Sequence, residues 1–285
     1  MSRGLSDSQL DSYRRDGFLV LPDFVAPERC LALRERALAL AREHVPPPDQ
    51  ATVFTADGGA RHAAERYFLT SGEAIRCFFE KDAFDGQGRL RGEPHLALNK
   101  LGHAMHDLDP VFDAFSRTPA LASVASDIGL QAPLILQSMY IFKQPRIGGE
   151  VACHTDHTYL WTDPPSVVGF WFAIDDATTE NGCMWALPGG HRLPVKARSR
   201  LNAAGTATEL EVLDPEPYPS DGLVPLEARR GTLVLLHGAL PHRSGPNRSD
   251  QPRHAYTLHA IDGTAAYLPD NWLQRPTLPI RGFAN

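Results

Sequence analysis

Two polar residues placed two positions apart, His154 and Asp156, have the chemistry to hold a divalent metal ion. They lie in the segment QSMYIFKQPRIGGEVACHTDHTYLW, residues 137–161, which is predicted to be a strand around them because the bulky residues 159–161 follow. Side chains at positions i and i+2 of a strand project from one face, so the imidazole and the carboxylate would point the same way. One further histidine would complete the facial triad of two histidines and one carboxylate that leaves three positions open on non-haem Fe(II).

The third ligand has four later candidates, His237, His242, His254 and His259. His242 is distinguished by its surroundings, since a polar loop follows it and Arg253 stands on the next predicted strand. A buried guanidinium needs an anionic partner, and its fixed donors fit a carboxylate bidentately. A metal triad beside one inward arginine is what chelation of a 2-oxo dicarboxylic acid requires, with the keto and C1 carboxylate oxygens on the metal and the far carboxylate on the arginine.

The composition of the 285-residue chain bounds the class of protein. Hydrophobic residues make up 42% and charged residues 22%, which is enough for a packed core and argues against disorder. The net charge of −6 gives no basic face for nucleic acid, no apolar run approaches the ~20 residues that span a bilayer, and the N-terminus lacks the apolar region of a secretory signal. We therefore expect a cytoplasmic protein without nucleic-acid or membrane partners. Its cysteines are too scattered for a zinc site or a disulfide framework and are expected to be reduced thiols: Cys30, Cys77, Cys153 and Cys183.

The N-terminal part predicts a helical cap, about residues 1–50, over the remaining chain. Ser6 and Gln9 make a capping box at the start of a first helix, and Pro27 stands in the first turn of a second. A third helix is predicted over residues 110–128. These elements carry little chemistry, so their expected role is to cover the part of the chain that holds the candidate ligands.

Short apolar runs separated by turns predict strands over residues 134–144, 167–175, 183–187, 231–237 and 252–260. The polar segment 192–223 has no clear periodicity and is expected to be irregular, a candidate lid loop. The tail 268–285 offers only Trp272 to dock it. Many short strands behind front helices predict a single domain, 1–285, that is mainly β with flanking helices and has a double-stranded β-helix (jelly-roll, cupin-like) core at about residues 95–262.

A resemblance to a known family extends over nearly the whole chain. It begins at DGFLVLPDF, residues 16–24, and continues through NKLGHAMHDLDPVF, QSMYIFKQP, the triplet HTD, DDATTENGCMWALPGGH, RGTLVLLHGALPHRSGPNRS, the strand RHAY and NWLQ near the end. The most specific feature is the order H-x-D, then H-x-S-x-x-N-x-S, then Arg253 eleven residues after His242. In these motifs the chain resembles the phytanoyl-CoA dioxygenase family of Fe(II)/2-oxoglutarate oxygenases.

The resemblance implies a set of site residues and cofactors. His154, Asp156 and His242 would be the iron ligands, and Arg253 would form the salt bridge with the far carboxylate of 2-oxoglutarate. Five further residues would surround the co-substrate, the last of them through its backbone: Lys100, Met139, Trp171, Ser244 and Thr155. From the local pattern alone, Lys100 is instead predicted to be a solvated surface lysine. The implied cofactors are Fe(II), 2-oxoglutarate as co-substrate, and O₂.

The resemblance further implies an enzyme that hydroxylates a small organic substrate and releases succinate and CO₂. The carboxylate at position 156 disfavours halogenation, because no halide site is freed, and the lack of a peroxisomal presequence or C-terminal address means that phytanoyl-CoA is not implied as the substrate. Two alternatives stay open: a cupin-type zinc or manganese enzyme, which would leave Arg253 idle, and a non-catalytic 2-oxoglutarate or metal-binding protein. Residues 54–84 and 192–223 are expected to wall the substrate pocket, while the substrate's identity and the oligomeric state are not set by the pattern.

Overall fold

The computed structural model describes residues 4–46, 53, 66–87 and 89–283, and its strands form two main antiparallel sheets. The helices are α1 Asp7–Asp16, α2 Pro27–His44, α3 Arg66–Leu69, α4 Met105–Leu108, α5 Pro110–Ser116 and α6 Pro119–Asp127. The strands are β1 Phe18–Leu21, β2 Ile75–Phe79, β3 Leu98–His103, β4 Pro133–Ile141, β5 Val151–His154, β6 Thr162–Asp163, β7 Val168–Ala173, β8 Met184–Ala186, β9 Ala197–Leu201, β10 Thr208–Val212, β11 Val224–Leu226, β12 Leu233–His237, β13 His242–Ser244, β14 Ala255–Asp262, β15 Ala266–Tyr267 and β16 Arg281–Gly282.

The larger sheet has the strand order β1-β12-β7-β14-β4-β3-β2 with β16 beside β4, and the smaller sheet has the order β11-β8-β13-β5. The central strands β7 and β14 are buried at every position, because both of their faces are covered. Phe170 and Phe172 pack on the helical side, in one apolar cluster with Leu33 of α2. Trp171, which lies between them, joins Met184 of the smaller sheet in a second cluster. The predicted jelly-roll core with flanking helices is therefore confirmed.

The predicted N-terminal helices cover the outer face of the larger sheet. The capping box at the start of α1 is present, with the backbone N–H of Ser6 donating to Gln9 Oε1 at 2.8 Å. The helix ends at Gly17, whose φ of +79° is a conformation that favours glycine. Pro27 occupies the first turn of α2, which buries one apolar face against the sheet. In the described ranges, no helix is long and apolar enough to cross a membrane.

The predicted third helix and the predicted bounds of the core both differ from the structure. The helix predicted over residues 110–128 is two helices, because Pro119 has no backbone N–H to continue α5, and Thr118 caps α6 by accepting a hydrogen bond from Leu121 N at 3.3 Å. The larger sheet also extends beyond the predicted core bounds of 95–262, since β1, β2 and β16 belong to it.

The segment 192–223 is not irregular throughout, as the sequence had suggested, but contains a hairpin of β9 and β10. Its register places Arg200 opposite Glu209, and cross-strand pairs of opposite charge stabilise such a hairpin. Gly205, with φ +66°, lies in the turn. A lid function for this segment stays a prediction. Residues 54–65, also expected to wall the substrate pocket, lie outside the described residues.

The C-terminal tail is held by more than the single tryptophan predicted to dock it. Trp272 stacks on Phe68 with ring centroids 4.3 Å apart, as a docking residue should. In addition, β16 pairs with β4, and Arg275 and Arg281 both bind the buried carboxylate of Asp107. Asp107 precedes these two arginines by more than half the chain, so no local pattern could have revealed the network.

Candidate active site

His154, Asp156 and His242 come together at the smaller sheet. His154 is the last residue of β5 and His242 the first of β13, and the two are register partners. Their Nε2 atoms lie 3.9 Å and 3.7 Å, respectively, from Asp156 Oδ1. One ligand atom from each of the three residues lies within 4.8 Å of the other two, and no other such group of His, Cys, Asp or Glu occurs in the described part of the chain.

The strand predicted through this segment ends earlier than expected. β5 stops at His154, Thr155 remains extended with φ −121° and ψ 144°, and Asp156–Thr158 form a single 3-10 turn. The prediction of a strand as far as Trp161 was therefore wrong. The single extended residue between the two ligands is nevertheless enough to direct both side chains to the same side.

Both histidines are held in the tautomer that a metal ion requires. His154 Nδ1 lies 2.8 Å from the carbonyl oxygen of Ala152, and His242 Nδ1 lies 2.9 Å from that of Leu240. A carbonyl oxygen can only accept a hydrogen bond, so each Nδ1 carries a hydrogen, and in the neutral imidazole the lone pair is on Nε2, the atom nearer Asp156. Burial and the neighbouring His242 lower the pKa of His154 to about 4, which keeps its imidazole neutral. These residues thus fit a divalent metal ion.

The second carboxylate oxygen of Asp156 faces a different histidine. His259 Nε2 lies 3.2 Å from Asp156 Oδ2, and Gln137 Nε2 donates to His259 Nδ1 at 3.0 Å. This donor leaves the imidazole hydrogen on Nε2, the nitrogen that lies on the side of the carboxylate. On the neighbouring strand, Gly169 leaves the space that Oδ2 occupies, because a Cβ there would lie 3.0 Å from that oxygen. His259, one of the four candidate ligands, is therefore placed behind the carboxylate, with Oδ1 left toward His154 and His242.

Replacing His259 with leucine is expected to weaken metal binding by about 10–100-fold, because partners behind a ligand orient it and tune its affinity. Calorimetric titration of the metal-free protein with Co(II) measures this loss without any need for turnover. Tyr140→Phe is the matched control, since it removes the buried hydrogen bond of another histidine, His254, at 2.9 Å and outside the triad. Equal Co(II) affinities in the His259 and Tyr140 variants would contradict the role given to His259.

A cavity of about 160 Å³ adjoins the triad. It is lined by side chains of both sheets, among them predicted co-substrate residues: Lys100, Met139, Trp171, Ser244 and Arg253. Lys100 Nζ lies 3.6 Å from Met139 Sδ, and the Arg253 guanidinium lies over the Trp171 ring at 5.5 Å from its centroid. The structure thus brings together, around one cavity, residues that are distant in the sequence.

Arg253 is buried in this cavity without a full set of partners. Its exposed fraction is 2%, and its Nε donates to the carbonyl oxygen of Gly182 at 3.2 Å. No described residue accepts a hydrogen bond from its buried Nη1. Burial lowers the pKa of Arg253 to about 10, so the guanidinium stays charged at neutral pH. A buried cation with a free donor is a site for an anion, and its planar fork fits a carboxylate.

Two of the residues predicted to surround the co-substrate need separate comment, Lys100 for its burial and Thr155 for its position outside the cavity lining. Lys100 is buried on β3 and is not the solvated lysine that the local pattern predicts. Its burial lowers its pKa to about 7. Thr155 does not line the cavity, because its buried hydroxyl pairs with that of Thr158 at 2.9 Å. A backbone contact of Thr155 with the co-substrate stays a prediction.

The cavity also contains residues that the sequence interpretation had not assigned to it, notably Lys143, Thr257 and His259. A signal for two of them exists in the strand pattern. Positions 253, 255, 257 and 259 alternate along one face of the chain, so an inward Arg253 also directs Thr257 and His259 inward. Lys143 follows the end of β4 and has no comparable signal.

The sequence comparisons agree with the site. The sequence model of the family described as Phytanoyl-CoA dioxygenase (PhyH) matches residues 13–255. Phytanoyl-CoA dioxygenase domain-containing protein 1 of Bos taurus is 42% identical over 97% of this chain and 97% of its own length. Phytanoyl-CoA dioxygenase of Arabidopsis thaliana is 37% identical over 96% of this chain and 95% of its own length.

Solved structures share the fold at low sequence identity. EctD from S. alaskensis, determined with 2-oxoglutarate and 5-hydroxyectoine, is 18% identical with a TM-score of 0.65, covering 99% of this chain and 87% of that one. SnoK, a non-haem α-ketoglutarate-dependent carbocyclase from nogalamycin biosynthesis, is 20% identical with a TM-score of 0.65, covering 93% and 87%. The jelly roll is common to all three. With the family match and the close relatives above, the chain belongs to the phytanoyl-CoA dioxygenase family.

Proposed function

We propose that this protein, a non-haem iron dioxygenase that uses 2-oxoglutarate, hydroxylates a small organic substrate and releases succinate and CO₂. The observation that carries the proposal is the presence of two complementary half-sites in one cavity. The triad of His154, Asp156 and His242 offers three metal ligands, and Nη1 of buried Arg253, which has no acceptor among the described residues, offers an anion site. A 2-oxo dicarboxylate can bind the metal through its keto and C1 carboxylate oxygens and the arginine through its far carboxylate.

The roles of the chain's own residues follow from these positions. The Nε2 atoms of His154 and His242 and the Oδ1 atom of Asp156 would hold Fe(II), which when bound supplies the oxidising chemistry with O₂ and the co-substrate. His259 keeps Asp156 oriented from behind. Arg253 would bind the far carboxylate and so fix the co-substrate along the cavity.

The remaining walls of the cavity limit its access to water. Trp171 and Met184 belong to the apolar cluster between the sheets, and Met139 lies beside Lys100. A largely apolar wall strengthens the attraction between the buried cation and a carboxylate, because fewer water molecules screen it. The cupin-type and non-catalytic alternatives both leave part of this arrangement without a use: the first has no role for Arg253, and the second has no role for the metal position that 2-oxoglutarate would leave open.

Anaerobic addition of 2-oxoglutarate to the Fe(II)-loaded protein is expected to produce the weak visible charge-transfer band of the chelate. Arg253→Ala should raise the dissociation constant for 2-oxoglutarate by about thirtyfold or more, because removal of one partner of a buried charge pair costs roughly 2 kcal/mol or more. Arg146→Ala is the control, since Arg146 is an exposed arginine paired with Asp250. Wild-type protein that binds Fe(II) but gives no band would favour the cupin-type alternative.

A further inference from the structure

Lys143 is a buried lysine in the wall of the cavity, and metal binding by the triad does not explain its burial. Its exposed fraction is 2%, and its backbone has a positive φ of 34°, which is unusual for a residue with a side chain. Gly148 and Gly182 make room for the side chain, because a Cβ at either position would collide with it. The fold therefore forms a socket around one lysine, at a cost in desolvation and backbone strain that a solvated lysine would avoid.

The ammonium group of Lys143 has a defined set of acceptors. Nζ donates to the carbonyl oxygen of Gly149 at 2.7 Å and to Ser244 Oγ at 3.0 Å. In its charged form the lysine can only donate, so Ser244 Oγ is then the acceptor and the hydroxyl hydrogen is left to point elsewhere. Both Lys143 and Ser244 line the cavity that contains Arg253. The hydroxyl is thereby set up as a donor to a ligand in that cavity.

The charges at this end of the cavity also favour an anion. Burial, followed by the charge of Arg253, lowers the pKa of Lys143 to about 7. Glu80 lies near both basic groups; its Oε2 accepts from the backbone N–H of Gly149 at 3.2 Å, and among the described residues it forms no ion pair with Lys143 or Arg253 within 4.0 Å. A ligand carboxylate at this end of the cavity would pair with Arg253 and favour the charged form of Lys143.

We propose that Lys143 is a positioning residue for the far carboxylate of 2-oxoglutarate: by donating to Ser244 it turns the Ser244 hydroxyl toward the carboxylate that Arg253 binds. This inference rests on the proposed function, because it assumes that the cavity takes a 2-oxo dicarboxylate. It extends the anchor from one arginine to a unit of three residues, in which Lys143 acts through Ser244. The keto end of the ligand, at the triad, is outside its influence.

The test is a double-mutant cycle read out by binding. Fe(II)-loaded wild type, Lys143→Met, Ser244→Ala and the double variant are titrated anaerobically with 2-oxoglutarate and, separately, with pyruvate, which has the same keto acid but no far carboxylate. Each single variant should bind 2-oxoglutarate about tenfold more weakly, as expected for a lost hydrogen bond to a charged group. The double variant should be no weaker than the poorer single variant, since the two residues act as one unit. Pyruvate affinity should stay within twofold of wild type throughout.

Other outcomes would overturn the inference. Unchanged 2-oxoglutarate affinity in Lys143→Met, or losses that multiply in the double variant, would show that Lys143 does not act through Ser244. Loss of pyruvate binding together with 2-oxoglutarate binding would show that Lys143 only maintains the fold. Lys81→Met, a change of an exposed lysine, controls for the altered net charge. If the wild type binds Fe(II) and neither keto acid, the proposed function itself fails, a result distinct from a failure confined to the Lys143 variants.

Discussion

Asp156→Ala is expected to abolish turnover because the protein no longer retains the metal ion. Asp156 is the only anionic member of the triad, and its Oδ1 lies within 4 Å of the Nε2 atoms of both histidines. Its removal leaves two neutral imidazoles, which have no charge with which to offset a divalent cation in a buried site. The loss of affinity should exceed the ~10–100-fold typical of residues that only support a ligand.

Two measurements on the Asp156 variant separate loss of metal from loss of fold. Co(II) titration reports binding, and circular dichroism with a thermal melt reports folding. Asp250→Ala, at an exposed position, is the control and should behave as the wild type in both measurements and in succinate production. Full succinate production by Asp156→Ala would contradict the assignment of the triad, and loss of secondary structure would show that the effect is not specific to the metal.

Asp107→Asn is expected to give the largest loss of stability, about 3–5 kcal/mol at neutral pH, since it leaves buried guanidinium groups without their charge partner. The Asp107 side chain is fully buried; it accepts from Arg117 Nη2 at 2.6 Å and from Arg281 Nη2 at 2.7 Å, and it binds Arg275 as well. His106 Nε2 lies 3.1 Å away. Asparagine keeps the shape and removes the charge, so urea denaturation measures the electrostatic contribution with little change in packing.

The contribution of Asp107 should depend on pH in a defined direction. Burial alone would raise the pKa of the carboxyl, but the hydrogen bonds and charges of His106 and Arg275 outweigh it and hold the pKa well below its usual range. The stabilisation is then present above the unfolded-state pKa of about 3.9 and is lost as the pH falls from there toward the folded-state value. The difference between wild type and Asp107→Asn should therefore shrink below about pH 4. Asp11→Asn, in an exposed ion pair, is the control and should change the free energy of unfolding by less than about 1 kcal/mol. An equally small change in Asp107→Asn would contradict the stabilising role given to the buried charge network.

Much of the fold is predictable from local sequence pattern. The capping box at Ser6 and the first-turn Pro27 locate α1 and α2, and short continuous apolar runs locate the central strands of the larger sheet. The alternation of side chains along a strand places Arg253 and His259 on one face. Elements stabilised by charge pairs, such as the hairpin of β9 and β10, lack the apolar signal and were missed.

The candidate site was predictable only where the type and spacing of the residues match the requirements of a metal or carboxylate site. His154, Asp156 and Arg253 combine side chains that can bind a metal ion or a carboxylate with an informative order. Lys143 could not be recognised, because its role depends on a socket made by two glycines and on a serine of a distant strand. The charge partners of Asp107 are hidden for the same reason, since tertiary folding alone brings them to it.

The position of β5 at the rim of the smaller sheet has a consequence for the metal-free protein. In the described part of the chain, β5, which carries His154, pairs with one strand only, whereas His242 lies on β13, between β5 and β8. An ion bound by both would act as a cross-link between remote chain segments and would close the loop between them. Metal binding and folding of this edge of the smaller sheet are then thermodynamically coupled. The ion would therefore stabilise the folded structure as well as take part in the reaction.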